Sequence, residues 1–370
     1  MHLCFLSDGI AEHTRRWTTY FASKSHEVDL ITLNPNVLDG YDPVRVHIVK
    51  KPFPGSDLLS RFRNYPTVIR EVRQILNTVK PDVLHAHSAG QYAWISMLTG
   101  FHPYVVTPWG TDLLIDAKKS RMNRIITTRS LRKANMVTCD ADHIQTEMVR
   151  MGIPEERIHL VIFGVDMRRF DAQIDDSELR VRYDLGDDPV VISTRTLNPV
   201  HDVATFIQAI PFIHAACPEA RFVVTGDGKD REQLESLARS LGIASIVNFV
   251  GYLTEDTMIQ WLKTADVYVS TSLSDAGLSG STAEAMACEL PVVVTDNGDN
   301  REWVTSDTGG YIVANGASDA IATRVIDLLQ DSTKRQAFGA YNRDVIIERC
   351  NYETEMSHME TLYLELSQRI

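Results

Sequence analysis

The 370-residue sequence is poor in cysteine: Cys4, Cys139, Cys217, Cys288 and Cys350 are scattered, odd in number and form no Cys-x-x-Cys pair. That excludes a disulfide scaffold and leaves reduced thiols of a cytoplasmic protein as the expectation. Long apolar runs are missing too, and nothing approaches the ~18–20 residues that span a bilayer. The opening Met1-His2-Leu3-Cys4-Phe5-Leu6-Ser7-Asp8 has no basic stretch before its apolar part. It reads as a buried strand rather than a signal peptide. Positive charge is in deficit: the net charge is −12, which argues against a nucleic-acid partner. After the first strand the chain has Leu6-Ser7-Asp8-Gly9-Ile10-Ala11 instead of Gly-x-Gly-x-x-Gly, which speaks against a dinucleotide dehydrogenase.

What is present is globular in character. Hydrophobic residues make up 44% and charged residues 23%, which excludes a disordered chain, and the length suggests about two domains. Charge is uneven, +4 over residues 1–171 and −16 over the rest. Basic residues cluster at Lys50, Lys51, Arg61, Arg63, Arg70 and Arg73, and again at Lys118, Lys119, Arg121, Arg124, Arg129, Arg132 and Lys133. Phe53, Leu58, Leu59, Phe62 and Tyr65 interrupt the first cluster. Such a mixture can lie on an anionic membrane surface, and it can equally be a solvated helix face.

Strand-like and helix-like segments alternate. Strands are expected at Leu3–Leu6, Glu27–Thr32, Arg45–Val49, Val83–Ala86, Tyr104–Thr107 and Met136–Cys139. After a charged linker, Phe163 to Pro189, they resume at Val190–Thr194, Arg221–Thr225, Ile246–Val250, Val267–Ser270, Pro291–Thr295 and Gly310–Val313. Helices lie between them. Repeated β–α units with apolar strands predict parallel sheets covered on both faces. The fold class is therefore α/β: two Rossmann-like, doubly wound domains facing a cleft, residues 1–165 and 166–352. A last helix near 353–370 is where the chain can cross back to the first domain. Ligands then belong beyond the carboxyl ends of the strands.

The richest strand-end segment runs from Ser270 to Trp303. A strand is followed by a small-residue loop and by a helix starting near Ser281 or Thr282. Free amides at a helix start, helped by the dipole, make an anion site, and Gly277 and Gly280 let a phosphate come close. Glu284 has two readings. It closes a capping box on Ser281, or its carboxylate accepts hydrogen bonds from a ribose diol.

Here the sequence resembles the retaining glycosyltransferase family 4, which has the GT-B fold. EAMACELPVVVTD followed by NREW is similar to the family's donor-binding signature. RWTTYFASKSHEVDLITL, PDVLHAHSAG, FGVDMRRF and the stretch from Val224 to Asp275 match further family segments in the family's order. The resemblance implies a donor-diphosphate clamp made by Arg195, with His201 near the place of the family's usual Lys. Ser279, Gly280 and Ser281 fall where backbone amides meet phosphate, Glu284 where the ribose is bound, and Val250 where the base edge is read. The family often has an acid eight residues before that glutamate. Here the position is Ala276, and the nearest acid is Asp275. In the first domain His87 takes the place of a histidine facing the reacting bond, and His85 is the packed one of the pair. Gly9 and Trp109 fall on the acceptor side.

The implied activity is metal-independent, retaining transfer of a sugar from a UDP- or GDP-type nucleoside-diphosphate sugar to a hydroxyl of a lipid-linked or glycan acceptor. No cofactor is implied. The place is the cytoplasm, with peripheral attachment to the inner face of the membrane as an extension. Two other readings share the architecture: a sugar-nucleotide 2-epimerase and a non-catalytic sugar-nucleotide-binding subunit.

Overall fold

The computed structural model describes residues 1–50, 58–170, 177–275 and 277–368. The chain divides into two units. Unit 1 is Met1–Ile162 with Thr354–Ile370, and unit 2 is Phe163–Glu353.

Unit 1 holds a seven-stranded, all-parallel sheet of order β3-β2-β1-β4-β5-β6-β7. The strands are β1 His2–Leu6, β2 Glu27–Thr32, β3 Arg45–Ile48, β4 Val83–His87, β5 Tyr104–Thr107, β6 Met136–Cys139 and β7 Ile158–Leu160. Unit 2 holds a six-stranded parallel sheet of order β10-β9-β8-β11-β12-β13. Its strands are β8 Val190–Ser193, β9 Arg221–Thr225, β10 Val247–Gly251, β11 Val267–Ser270, β12 Val292–Thr295 and β13 Gly310–Val313. In each sheet the winding direction reverses once, between β1 and β4 and between β8 and β11, which is where a doubly wound sheet leaves a crevice at its carboxyl edge.

The central strands are short runs of β-branched residues. Val190–Ser193 and Val292–Thr295 are buried at every position, because helices cover both faces. The unit 2 core packs Phe206, Ile207, Ile210 and Ile213 of the helix Val203–Ala216 against Val191, Phe222 and Val224. In unit 1 the core is more aromatic: Phe5, Trp17, Phe21, Tyr104 and Tyr363 are each essentially inaccessible.

Several expectations need correction. The strand Ile158–Leu160 escapes a hydrophobicity reading because only Ile158 is buried. The segment read as linker carries the helix Ser177–Arg182, while residues 171–176 lie outside the described residues. The helix Ser332–Arg349 was also not anticipated. Its inner face includes Gly339 and Asn342 in place of aliphatic side chains, so the apolar period is broken. Asn342 Nδ2 donates to the carbonyls of Leu290 and Gly309, both at 2.7 Å. A Cβ at Gly339 would stand 1.9 Å from the Glu289 carbonyl oxygen, so only glycine fits that crossing.

The last helix, Tyr352–Gln368, contributes Thr354 onward to unit 1. His26 Nε2 meets Glu360 at 2.6 Å, the Ile162 amide donates to Glu355 at 2.9 Å, and the Tyr363 hydroxyl bonds His85 Nδ1.

Candidate functional site

In unit 2 the loops after β8 and β11 start from neighbouring strands, since Val191 and Ile192 pair with Val267 and Tyr268. Side chains two to eleven residues beyond those strands therefore meet. Arg195 is the hub. Its Nη1 donates to Ser281 Oγ at 2.8 Å, and its Nη2 donates to His201 Nδ1 at 3.0 Å and to Asp275 Oδ1. The Arg195 side chain is only 9% exposed and that of Asp275 13%, so this is a desolvated ion pair. Arg195 Nε is buried and has no partner among the described residues.

His201 Nδ1 lies 2.9 Å from Ser272 Oγ as well as facing the guanidinium. A nitrogen that accepts from a guanidinium carries no proton, so the ring is neutral with its hydrogen on Nε2. Burial, then the nearby charge of Arg195, lowers the pKa of His201 to about 4. His201 thus steadies Arg195 and does not supply the second positive charge that a lysine would. Burial raises the Asp275 carboxyl against the pull of Arg195.

The helix at this site is Gly280–Ala287, and its N-cap is Ser279, whose side chain accepts from the Thr282 amide at 3.2 Å. This corrects the expected start and removes the capping-box role of Glu284, which now lies five positions past the cap. Glu284 is half-buried on the same helix. With the Thr282 amide taken by Ser279, the Gly280 and Ser281 amides have no acceptor in the helix itself. A Cβ on Gly280 would meet nothing within 4 Å, so the space beside its Cα is open.

Neighbouring strand ends support the cluster. Gly226, at φ +90°, lets the loop after β9 lie against Arg195: a Cβ there would be 2.5 Å from the Arg195 carbonyl oxygen. Asn297 Nδ2 donates to the Ser272 carbonyl at 2.6 Å, and the Tyr268 hydroxyl donates to Ser281 Oγ at 3.0 Å. Tyr268, Ser272 and Asn297 were missed from sequence. Ser272 and Asn297 follow strand ends, which was the available signal; Tyr268 lies within β11 and carried none. Val250 stands apart from the cluster on the edge strand β10. The β9 register skips it, pairing Phe249 with Val224 and Gly251 with Thr225, so Val250 is a bulge residue.

Unit 1 presents different chemistry at the matching place. His85 and His87 point the same way from β4, with ring centroids 4.7 Å apart. His85 is fully committed, Nε2 to Thr107 Oγ1 at 2.7 Å and Nδ1 to Tyr363. His87 sits in an aromatic box of Phe5 at 5.3 Å, Trp17 at 5.1 Å and Trp109 at 5.3 Å, with His13 at 6.1 Å. It is 1% exposed, enclosed by these rings. Neither of its ring nitrogens has a partner among the described residues. Burial, then the neighbouring His85 and His13, holds its pKa well below the usual histidine range. Trp109 packs against His13 with ring centroids 4.0 Å apart and tilted by 42°, and the buried Asp112 carboxylate accepts from the amides of Ala89 at 2.6 Å and Trp109 at 3.1 Å, tying the two loops together. His13 and Trp17, one turn apart on the helix Glu12–Ser23, were not singled out from sequence, although their i, i+4 spacing puts them on one face. Gly9 is buried after β1. Its amide donates to Thr32 Oγ1 at 3.0 Å and its carbonyl accepts from Tyr41 at 3.1 Å.

Among the described residues no group of histidine, cysteine and carboxylate side chains is arranged to hold a metal ion, and no helix is long and apolar enough to cross a membrane.

The family described as "Glycosyl transferases group 1" matches residues 156–345, just over half of the chain, and "Glycosyl transferase 4-like" matches residues 2–141. A GDP-mannose-dependent alpha-(1-6)-phosphatidylinositol monomannoside mannosyltransferase of Mycolicibacterium smegmatis is 28% identical over 236 residues, and the match spans 62% of each chain, less than two thirds of that relative. N-acetyl-alpha-D-glucosaminyl L-malate synthase of Bacillus anthracis is 25% identical over 361 residues, 93% of this chain and 91% of the relative. Among solved structures, sucrose-phosphate synthase from Thermosynechococcus elongatus superposes with a TM-score of 0.85 at 18% identity over the whole of both chains. Anabaena HepE in complex with UDP gives 0.82 at 18% identity, over 99% of this chain and 100% of that one. The protein belongs to the group 1 glycosyltransferases, of the family 4 type, and is built on the GT-B fold.

Proposed function

We propose that this glycosyltransferase takes its sugar from a UDP- or GDP-type nucleoside-diphosphate sugar, passes it to a hydroxyl of a lipid-linked or glycan acceptor in surface-glycan synthesis, and retains the anomeric configuration. One observation carries the donor assignment: the buried guanidinium of Arg195 and the start of the helix Gly280–Ala287 converge through Ser281 at the sheet's reversal point. A guanidinium and free helix amides suit a diphosphate whose negative charge grows as the sugar–oxygen bond breaks. The relative that uses GDP-mannose and the neighbour that binds UDP agree with that class of donor.

In this reading the C–O bond to the diphosphate breaks, a new C–O bond to the acceptor oxygen forms on the same face, and the acceptor's proton leaves with the phosphate oxygen. Glu284 holds the ribose diol and the Val250 bulge the base edge. Positive charge comes from Arg195 and the helix start, so turnover is expected to survive EDTA. The strand-end loops of unit 1, at Gly9, His87 and Trp109, take the acceptor. A buried imidazole with two unspent nitrogens costs stability unless something bonds it, which fits a ligand contact at His87. The deciding experiment is a thermal-shift screen of UDP, GDP and ADP sugars followed by product analysis with a lipid-linked acceptor. Binding without transfer would leave only a nucleotide-sugar-binding protein, and interconversion of the donor alone would point to a 2-epimerase.

The same proposal includes an anionic membrane surface, and the structure directs attention away from the first basic cluster. Residues 51–57 and the side chains of 58–63 lie outside what is described, and Arg73 is committed to the carbonyls of Leu98 at 2.7 Å and Thr99 at 2.9 Å. The helix Arg121–Lys133 is the better surface. Residues 117–133 hold seven Lys and Arg and no acid. Met122 is 52% and Ile125 58% exposed. Arg124, Ile125, Thr128, Arg129, Arg132 and Lys133 line a groove of about 470 Å³. Basic residues around exposed apolar ones suit anionic lipid. Flotation with phosphatidylserine vesicles at low salt tests this, and retention undiminished in the Arg124→Glu/Arg129→Glu variant would remove the helix from the account.

A further inference from the structure

The donor pocket as built contains its own anion. Arg195 is the one cation in the cluster, yet Asp275 is hydrogen-bonded to its Nη2, while His201 Nδ1 accepts from the same nitrogen at 3.0 Å. With His201 neutral, the guanidinium and the carboxylate cancel, and the cluster of Arg195, His201, Asp275, Ser272 and Ser281 has no formal net charge. A diphosphate carries two or more negative charges and needs the same N–H groups. Two anions cannot share one buried guanidinium without strong repulsion, because the interior screens charge poorly.

We infer that Asp275 is an exchangeable counterion of the phosphate clamp, which the donor diphosphate displaces from Arg195 when it binds. This rests on the donor reading of the unit 2 pocket and goes beyond it by giving the acid a task other than a sugar contact. Three features support it. Asp275 lies in the segment between β11 and the helix Gly280–Ala287, outside regular secondary structure, so its side chain can leave without breaking a strand or helix. Arg195 Nε is buried with no partner among the described residues, so the internal carboxylate leaves part of the fork unspent, where a bidentate phosphate would use two adjacent N–H groups. Burial also raises the Asp275 carboxyl, a sign that its charge is poorly accommodated even beside Arg195. Exchange makes the site selective. A weak monoanion gains little by replacing one carboxylate with another, whereas a diphosphate gains charge and contacts with Ser281 and the helix amides together.

The test is calorimetric titration of UDP and of GDP, without sugar, into the intact protein and into Asp275→Asn, Asp275→Ala, Arg195→Ala and the Arg195→Ala/Asp275→Asn double variant. Each variant's fold is checked by its melting curve. The expected result is that removing the carboxylate tightens nucleoside-diphosphate binding by roughly tenfold or more, while the same change has no effect once Arg195 is alanine. Asparagine keeps the shape and one acceptor oxygen, so tightening by both variants reports the charge. If UDP or GDP binds in an Arg195-dependent way but Asp275→Asn weakens it or leaves it unchanged, the counterion idea fails and the donor reading stands. If neither nucleotide binds, or Arg195→Ala changes nothing, both fall together.

Discussion

The two units solve one topological problem with opposite chemistry. Each sheet reverses its winding once and gathers side chains at that carboxyl edge. In unit 2 they are an ion pair and its hydrogen-bonding neighbours, Arg195 with Asp275, His201 and Ser281. In unit 1 they are neutral rings, His87 among Phe5, Trp17 and Trp109. The shared strand order fixes where a ligand is met, and the residues at the strand ends decide what kind. A charged cluster suits a diphosphate. An aromatic box with an uncharged imidazole suits a neutral, hydroxyl-bearing partner, which it can stack against and hydrogen-bond without a desolvation penalty for charge.

The largest effect is expected at the charged end. Arg195→Ala should cost about 10²–10³-fold in turnover and weaken nucleotide binding without abolishing it, as for the loss of a group that stabilises developing charge. A folded variant with normal kcat and normal UDP or GDP affinity would break the contrast outright. Next comes the neutral end. His87→Ala should lower kcat/KM by roughly a hundredfold while leaving nucleoside-diphosphate affinity unchanged. Calorimetry with the nucleotide alone separates the two, and weakened nucleotide binding in this variant would erase the division of labour.

A smaller effect is expected from Gly226→Ala. Its Cβ would clash with the Arg195 carbonyl and its φ is +90°. A stability loss of about 1–3 kcal/mol, with weaker nucleotide binding, should show in denaturant titration and calorimetry. A substitution tolerated in both assays would mean that the loop after β9 does not position the clamp.

The smallest effect concerns pH. Burial lowers His13 to about 4 and His85 to about 3 in unit 1, and His201 to about 4 in unit 2. Each folded pKa lies below the ordinary 6.5, so the unfolded chain binds more protons between those values. The stability these rings contribute is therefore whole above pH 6.5 and is lost as pH falls toward 4. Raised carboxyls work the other way in both units, Asp112 and Glu355 in unit 1 and Asp275 in unit 2, each taking up a proton in the folded state before it would in the unfolded chain. Because His13, His85 and His87 are all lowered in unit 1, against His201 in unit 2, unit 1 should be the more acid-sensitive of the two. Amide exchange at pH 7.5 and pH 5.5 should show protection falling further in β4 and β5 than in β8 and β11. Equal loss in both sheets would contradict the assignment of neutral histidines to unit 1.

Most of the architecture was legible because buried parallel strands are written as short β-branched runs. Glu27–Thr32, Tyr104–Thr107 and Gly310–Val313 have the expected bounds. Legibility failed where burial is not apolar. The helix Ser332–Arg349 turns Gly339 and Asn342 inward, and β7 buries one side chain of three.

For the site, residue type and position after a strand pointed to Gly280, Ser281 and Glu284 in unit 2, whereas Arg195, His201, Asp275 and Ser279 there, and His87 and Trp109 in unit 1, came from the resemblance to family 4. Sequence alone could not say that Ser279 caps the helix, that His201 is neutral, that Asp275 holds the arginine, or that His87 is enclosed. Chemical type and local period are properties of neighbours along the chain. Protonation, cap identity and ion pairing depend on side chains that folding brings together from far along the chain, 86 positions for Arg195 and Ser281 and 278 for His85 and Tyr363. Only the tertiary structure sets their distances and removes the water between them.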